Sequence, residues 1–92
     1  MTESAPDTVS VLFTLQAEAA PGMLPRLLQP FAKRDLVPDQ VKSRRAGEVL
    51  LVELGMDAMP ANELHLVEGN LSQVIGVRRL ETMRRARLRS AA

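Results

Sequence analysis

The sequence predicts an α+β fold with its elements in the order β-α-β-β-α-β. Three observations lead to this order. Segments rich in Val and Leu either alternate in polarity or form short apolar runs, which is typical of strands. Two other segments carry apolar residues three and four positions apart, which is typical of amphipathic helices. Glycine and proline separate the segments, and 92 residues with 46% hydrophobic content suffice for one small domain.

The first strand is predicted over residues 8–16 and the first helix over residues 23–34. One face of the strand carries Val9, Val11, Phe13 and Leu15, and the apolar stripe of the helix is Leu24, Leu27, Leu28 and Phe31. Gly22 is the predicted N-cap, so Pro25 falls in the first turn, where its missing N–H costs little. Pro30 lies where a proline costs roughly 3 kcal/mol, so we expect a kink with the ring on the polar side.

A hairpin is predicted next. Residues 37–45 are charged and include Pro38, as expected of a strand at the edge of a sheet. Ala46-Gly47 is predicted as a two-residue turn into a central strand over residues 48–56, which is rich in Val and Leu.

The second helix is predicted to begin within residues 57–60, with Pro60 at its first helical position. Its apolar stripe consists of Leu64, Val67, Leu71 and Val74. A short last strand is predicted over residues 76–82, and a frayed or helical tail follows it.

Two helices on one face of a four-stranded antiparallel sheet form the ferredoxin-like arrangement. This domain is predicted over residues 8–82, between a polar arm of residues 1–7 and a basic tail of residues 83–92. From residue 78 to the end of the sequence there are six arginines and one acidic residue. The tail is interpreted either as a flexible, solubilising end or as a docking segment for an acidic partner.

The sheet face away from the helices keeps three apolar residues, namely Leu12 from the first strand and Val49 and Leu51 from the third. A small sheet seldom leaves such residues in water. They therefore predict a dimer interface, and with it a homodimer or higher oligomer. The alternative is that they are scattered surface residues.

The composition argues against most catalytic and metal-binding classes. Without cysteine, the chain has no disulfide, thiolate metal site or cysteine nucleophile. His65 is the only histidine and lacks the partners of a triad or a ligand cluster, while Glu63 and Glu68 are expected to be solvated charges off a shared helix face. Phosphate-binding and nucleophile-elbow motifs are absent. We therefore expect no enzymatic activity, no catalytic residue, no metal and no cofactor.

The sequence has no secretory signal and no run of 18 apolar residues. We therefore expect a cytoplasmic protein that does not contact membranes.

The sequences PGML at residues 21–24 and FAKR at residues 31–34 resemble the ACT domain, a ferredoxin-like module that senses small ligands. The resemblance covers about residues 8–82, and it is closest to the small regulatory subunits of acetolactate synthase and related stand-alone proteins. It implies that the backbone amides of Gly22, Met23 and Leu24 bind the carboxylate of an amino acid at an interface between two copies. A helix start offers unpaired N–H groups and partial positive charge, and glycine allows close approach. The alternative is a tight turn and N-cap without a ligand.

Three positions depart from the family pattern. The family commonly has Asp or Asn where this chain has Ala19, often Asn at the position of Val37, and often glycine at the position of Asp35. Both side chains that would hold the ammonium group of a ligand are therefore apolar, whereas the cradle for the carboxylate is retained. Glu18, one position away from Ala19, is a candidate substitute.

The resulting interpretation is a small regulatory module that dimerises and senses an amino acid or a related small carboxylate. It would act alone or as the regulatory subunit of a larger amino-acid biosynthetic enzyme. The first alternative is a ligand-free dimerisation module, which Ala19 and Val37 favour. The second is a nucleic-acid-binding domain that uses the arginine tail. The lack of aromatic residues on the third strand argues against nucleic acid as a partner.

Overall fold

The computed structural model describes residues 7–86, which form one four-stranded sheet and two helices. In chain order the elements are β1 (Thr8–Glu18), α1 (Met23–Ala32), β2 (Gln40–Ala46), β3 (Val49–Pro60), α2 (Ala61–Ser72) and β4 (Val77–Ala86). The predicted order of elements is confirmed. Within these residues, neither helix is long and apolar enough to cross a membrane.

The sheet is antiparallel throughout and its strands lie in the order β2-β3-β1-β4. The central strand β1 pairs with β3 on one side and with β4 on the other, so Phe13 lies between Leu54 and Thr82. The strands at the two edges are β2, as predicted, and β4. This topology confirms the predicted ferredoxin-like α+β fold.

The core lies between the sheet and the two helices. The alternation predicted for β1 is confirmed, because every second side chain from Val11 to Ala17 is buried. The helices contribute Met23, Leu27 and Phe31 from α1 and Leu64, Val67 and Leu71 from α2. Phe13 and Phe31 meet edge to face with their ring centroids 6.0 Å apart, an arrangement that aromatic rings prefer.

The sequence suggested that two carboxylates of α2 are solvated charges. In the structure both of them contact neighbouring elements instead. The Oε1 atom of Glu63 lies 3.3 Å from Nε of Arg34, just beyond the end of α1. The carboxylate of Glu68 accepts a hydrogen bond from the hydroxyl group of Thr82 on β4. Together they fix α2 against α1 and against the edge of the sheet.

The prediction for the Pro30 ring is wrong, because this ring is buried and does not lie on the polar side of α1. Pro30 follows Leu27 by three residues and Met23 by seven, so helical spacing places it on the apolar side. Burial of the ring offsets part of the cost of the backbone hydrogen bond that proline cannot make.

The predicted turn between β2 and β3 shifts by one residue. Because Ala46 pairs with Val49, the turn consists of Gly47 and Glu48. Gly47 has φ +66°, a conformation that glycine adopts without a steric penalty. Gly47 was therefore predicted correctly as a turn residue, but it occupies the first position of the turn and not the second.

The second helix begins one residue later than predicted. Pro60 is the N-cap of α2, and residues 57–60 belong to the end of β3 instead. This part of β3 pairs with the start of β1, where Val9 lies opposite Met59. Cross-strand pairing therefore overrides the local helix-start signal of proline.

The last strand is longer than predicted and continues to Ala86. It pairs with β1 as far as Val9. The prediction of a frayed or helical segment is wrong for residues 83–86, because β1 offers them a pairing edge. The rest of that predicted tail, residues 87–92, lies outside the described residues.

Candidate ligand site at the start of α1

The loop between β1 and α1, residues 19–22, is held between two neighbouring connections of the sheet. The N–H of Glu18 donates to the carbonyl of Gly76 at 2.9 Å, on the β4 side. The N–H of Ala19 donates to the carbonyl of Glu48 at 3.0 Å, in the β2–β3 turn. The position of the helix start therefore depends on residues that are distant in sequence.

The three amides predicted to bind a ligand differ in their hydrogen bonds. Gly22 is the N-cap of α1, as predicted, and no side chain caps the helix. The N–H of Met23 donates to the carbonyl of Ala20 at 3.0 Å, so this amide is already paired. The N–H groups of Gly22 and Leu24 have no acceptor among the described residues. The first turn of α1 therefore presents two unpaired donors.

Arg26 lies over the same helix start. A Cβ atom at Gly22 would lie 3.7 Å from Nη2 of Arg26 and 3.8 Å from its Nε. Among the described residues Arg26 forms no ion pair, and the first turn of α1 contains no acidic residue. A guanidinium group and a helix N-terminus both attract anions, so their positive charge is uncompensated here.

From the sequence alone, Arg26 is one of several polar residues on α1. Its position in the first turn was the signal that could have identified it, because a cation there opposes the helix dipole. Such a placement is unfavourable for the helix unless an anion binds nearby.

An open groove adjoins Arg26. It has a volume of about 670 Å³ and is lined by Pro25, Arg26, Gln29, Gln73, Val74 and Ile75. The side chain of Ile75 is 86% exposed, which leaves a large aliphatic group at the rim. Apolar surface next to a guanidinium group suits a small carboxylate that carries an aliphatic chain.

The structure does not bring the other predicted ligand positions together in one chain. Ala19 lies in the loop before the helix start and is half-buried. Val37 follows the opposite end of α1, whose ten residues span about 15 Å. A ligand at Gly22 therefore cannot contact Val37 of the same chain. The carboxylate of Glu18 points toward β4, where its Oε2 atom lies 4.0 Å from Nη2 of Arg78.

The three residues predicted for the dimer interface share the open face of the sheet but form two patches. Leu12 lies opposite Met83, which is 67% exposed, whereas Val49 and Leu51 are neighbours on β3. The row of residues between the patches is polar and consists of Lys42, Glu53, Thr14 and Glu81. Met83 was not among the predicted interface residues because the last strand was predicted to end at residue 82.

No cluster of His, Asp or Glu that could hold a metal ion occurs in the described part of the chain. His65 lies on α2 and its side chain is exposed. The features that point to a ligand are therefore confined to hydrogen-bond donors, positive charge and apolar surface.

Comparison with models of protein families matches residues 4–88 to the ACT-like domain. The chain belongs to the ACT-like domain family. Members of this family are generally regulatory modules that bind small ligands. Comparison with curated proteins finds no match.

Solved structures of an ACT domain agree with this assignment. The crystal structure of the ACT domain from GTP pyrophosphokinase of Chlorobium tepidum is similar to this chain with a TM-score of 0.70 and 16% identity, covering 83% of this chain and 99% of that chain. For the solution NMR structure of the same domain the TM-score is 0.66 at 16% identity, with 80% and 84% covered. The ACT-like fold is confirmed, and the closer resemblance to acetolactate synthase subunits stays a prediction.

Gly76 is expected to be required by its backbone conformation at the α2–β4 connection. Its φ is +101°, which strains any other residue, and a Cβ atom there would also lie 2.6 Å from Cε of Met23, whose flexible end would have to move. The Gly76→Ala variant should lose on the order of 1–3 kcal/mol of unfolding free energy. As a control, Gly69→Ala on α2 places its Cβ in open space and should gain about 0.5–1 kcal/mol. Urea denaturation measures both, and equal stability of the two variants would contradict this packing.

Proposed function

We propose that this chain is a regulatory ACT-like module that binds a small aliphatic carboxylate at the start of α1. The observation that carries the proposal is the convergence of three features at that point. These are the unpaired N–H groups of Gly22 and Leu24, the guanidinium group of Arg26, and the adjoining apolar groove. A carboxylate would pair with the donors and the charge, while its aliphatic chain would lie along Val74 and Ile75.

The best candidates are branched-chain or similar small amino acids and the corresponding 2-oxo acids. Ala19 offers no side-chain acceptor to an ammonium group, and burying an unpaired ammonium costs several kcal/mol. A carboxylate without an ammonium group avoids this cost. The amide at Met23 is paired within the chain, so Arg26 would supply the hydrogen-bond donor that a third amide would have contributed, together with a positive charge.

The module is further proposed to form a homodimer through the open face of its sheet. The two apolar patches, Leu12 with Met83 and Val49 with Leu51, would be buried against a second copy related by a two-fold axis. Pairing across the polar row between them would set the register of the two sheets.

The partner is proposed to be a larger enzyme of amino-acid biosynthesis in the cytoplasm, for which this chain would be the regulatory subunit. The resemblance to acetolactate synthase small subunits supports this assignment. The structurally similar ACT domain also comes from an enzyme, GTP pyrophosphokinase.

One alternative has support from a specific observation. Ala19 lacks an acceptor, and Val37 lies about one helix length away from Gly22. These two facts favour a module that dimerises but has lost its ligand. Nucleic-acid binding by the sheet has no such support, because the only two aromatic residues, Phe13 and Phe31, are buried and cannot stack on bases.

Association through the open face is tested with Leu51→Lys. This change places a charge in the Val49–Leu51 patch and should shift the protein toward smaller species in sedimentation velocity, with unchanged helical circular dichroism. The matched control is Leu66→Lys, since Leu66 is 44% exposed on α2 and lies outside the sheet. If the unmodified protein is a strict monomer at micromolar concentration, the proposed dimer is wrong.

Ligand binding is tested by thermal shift with the twenty amino acids and short branched 2-oxo acids. A ligand that binds only the folded chain at 100 times its Kd should add about 2.7 kcal/mol of stability, a rise in Tm of about 10–20 °C. Arg26→Ala should abolish the rise, while Lys33→Ala at the other end of α1 should preserve it. Gly22→Val should also abolish it, because a side chain there would block approach to the amides at the helix start. The variant should still fold, since Gly22 has an ordinary φ of −94° and its Cβ meets Arg26 at a tolerated distance. No shift with any compound would favour the ligand-free module.

The preference between the two ligand classes depends on Ala19. In the unmodified protein, a branched 2-oxo acid should bind at least as tightly as its parent amino acid. Ala19→Asp should shift the preference toward the amino acid by about tenfold, since a charge-assisted hydrogen bond to the ammonium contributes roughly 1.4 kcal/mol. Calorimetry with both ligands measures this. A tenfold preference of the unmodified protein for the amino acid would contradict the assigned role of Ala19.

A further inference from the structure

The methionines of this chain differ sharply in their exposure. Among the described residues, Met23, Met56 and Met59 are buried and belong to the core, whereas Met83 on β4 is 67% exposed. Methionine is among the residue types that are most often buried. A thioether that faces solvent on the open face of the sheet is therefore unusual, and packing within one chain does not explain it.

The sulfur of Met83 is also the most accessible target for an oxidant in the described part of the chain. The sequence contains no cysteine, tryptophan or tyrosine, which are side chains that would compete for the oxidant. A thioether accepts one oxygen atom from a hydroperoxide, and a buried thioether is shielded from this reaction. Exposure and the lack of competing groups together direct such a reaction to Met83.

A recess on the open face lies beside this sulfur. It has a volume of about 220 Å³, and its lining includes Met83, Leu12 and Gly55 together with the polar residues Ser10 and Gln40. A Cβ atom at Gly55 would lie 3.2 Å from Oε1 of Gln40 and 3.6 Å from Cδ1 of Leu12, so a larger residue would fill part of this space. A molecule as small as hydrogen peroxide fits there, and hydroxyl and amide groups can form hydrogen bonds with it.

We propose that Met83 is a site of oxidation by hydroperoxides and that its oxidation weakens association through the open face of the sheet. With hydrogen peroxide, the sulfur lone pair attacks one oxygen, so that an S–O bond forms and the O–O bond breaks. The sulfur loses two electrons, and the second oxygen takes up the proton of the transferred hydroxyl and leaves as water. The product is methionine sulfoxide, which methionine sulfoxide reductases convert back to methionine.

Oxidation would change the chemical character of the Leu12–Met83 patch. Met83 lies directly opposite Leu12 across the β1–β4 pair, so the sulfoxide oxygen would lie within a patch that is otherwise apolar. A sulfoxide is polar, and burying a polar group without a hydrogen-bond partner is unfavourable. This effect on association rests on the proposed open-face homodimer, whereas the oxidation of Met83 itself does not. Conversely, a dimer that covers Met83 would protect it, so the oxidant would act on the dissociated chain.

Peptide mapping after timed exposure to dilute hydrogen peroxide tests the site. Trypsin places Met83 in the peptide of residues 80–84, apart from every other methionine. In the folded, dissociated chain Met83 should react at least about tenfold faster than Met56, because burial shields a thioether. Met56 is the matched control, since it lines the same recess but is only 6% exposed. In urea the two rates should become similar, which would show that exposure sets the difference. Equal rates in the folded chain would overturn the proposal.

Two variants of Met83 test the effect on association. Peroxide should weaken association of the unmodified protein by about tenfold in sedimentation velocity, and a methionine sulfoxide reductase should restore it. Met83→Leu keeps an apolar side chain of similar size and should stay associated after the same treatment. Met83→Gln, which is polar and of similar length, should associate weakly without any peroxide. If peroxide dissociates Met83→Leu as readily as the unmodified protein, the proposed role of Met83 is overturned.

Failure of this proposal is distinguishable from failure of the open-face homodimer. Leu51→Lys disrupts the other apolar patch and leaves Met83 unchanged, so it should raise the rate of Met83 oxidation to that of the dissociated chain. If Met83 in this variant reacts as slowly as Met56, the oxidation site is overturned whether or not the dimer forms. If Met83 reacts fast and selectively but at a rate independent of protein concentration and of Leu51→Lys, the site is supported, and the dimer is overturned together with the effect on association.

Discussion

The pairing of β1 with a strand on each side is the constraint on which the rest of this molecule depends. Because β1 is central, its register with β3 and β4 decides which side chains face the helices and which face outward. A slip of one residue would exchange the two sets and place Phe13 in water. The same pairing ends at Glu18, where bonds from the neighbouring connections hold the loop that starts α1. The pairing of β1 therefore determines both which residues form the core and where the candidate site lies.

The backbone N–H groups at the start of α1 have fewer hydrogen-bond partners than those of a purely structural helix would have. The helix has no side-chain cap, no acidic residue in its first turn, and a cation beside its N-terminus. Each of these choices sacrifices some helix stability, because a Ser or Asp cap and a nearby carboxylate would stabilise the same turn. The tertiary contacts of Met23 and Leu27 hold the helix in place instead. Unpaired donors and positive charge are then left for an anion, which is the physical basis of the proposed regulatory role.

The outer surfaces of the sheet differ in their side chains. The edge strand β2 is exposed along its whole length and carries three cations, and charged side chains on an edge oppose the addition of further strands. On the open face the apolar residues form two patches that are divided by a polar row.

Much of this architecture followed from local pattern in the sequence. The period-two alternation of β1, three members of the α2 stripe (Leu64, Val67 and Leu71) and the N-cap at Gly22 were predicted correctly, because each depends on neighbours within one element. Val74, the fourth predicted member of that stripe, lies beyond the end of α2. The family resemblance added a ligand role for Gly22, Met23 and Leu24. It could not indicate that the Met23 amide is paired, since its acceptor depends on the shape of the loop.

What only the tertiary structure decided depends on contacts between elements. Residues 57–60 and 83–86 became strand because β1 extends far enough to pair with both, which overrode the local signals for helix and tail. The burial of the Pro30 ring, in contrast, follows from helical spacing on the apolar side of α1 and needed no tertiary contact to foresee. The loop that leads into α1 was fixed by hydrogen bonds to the carbonyls of Gly76 and Glu48, which are distant in sequence. The sequence by itself determined the secondary-structure elements and their order, because these depend on the spacing of residues within each element. Packing decided which residues line the candidate site, because it places Val74 and Ile75 beside the start of α1, from which they are distant in sequence.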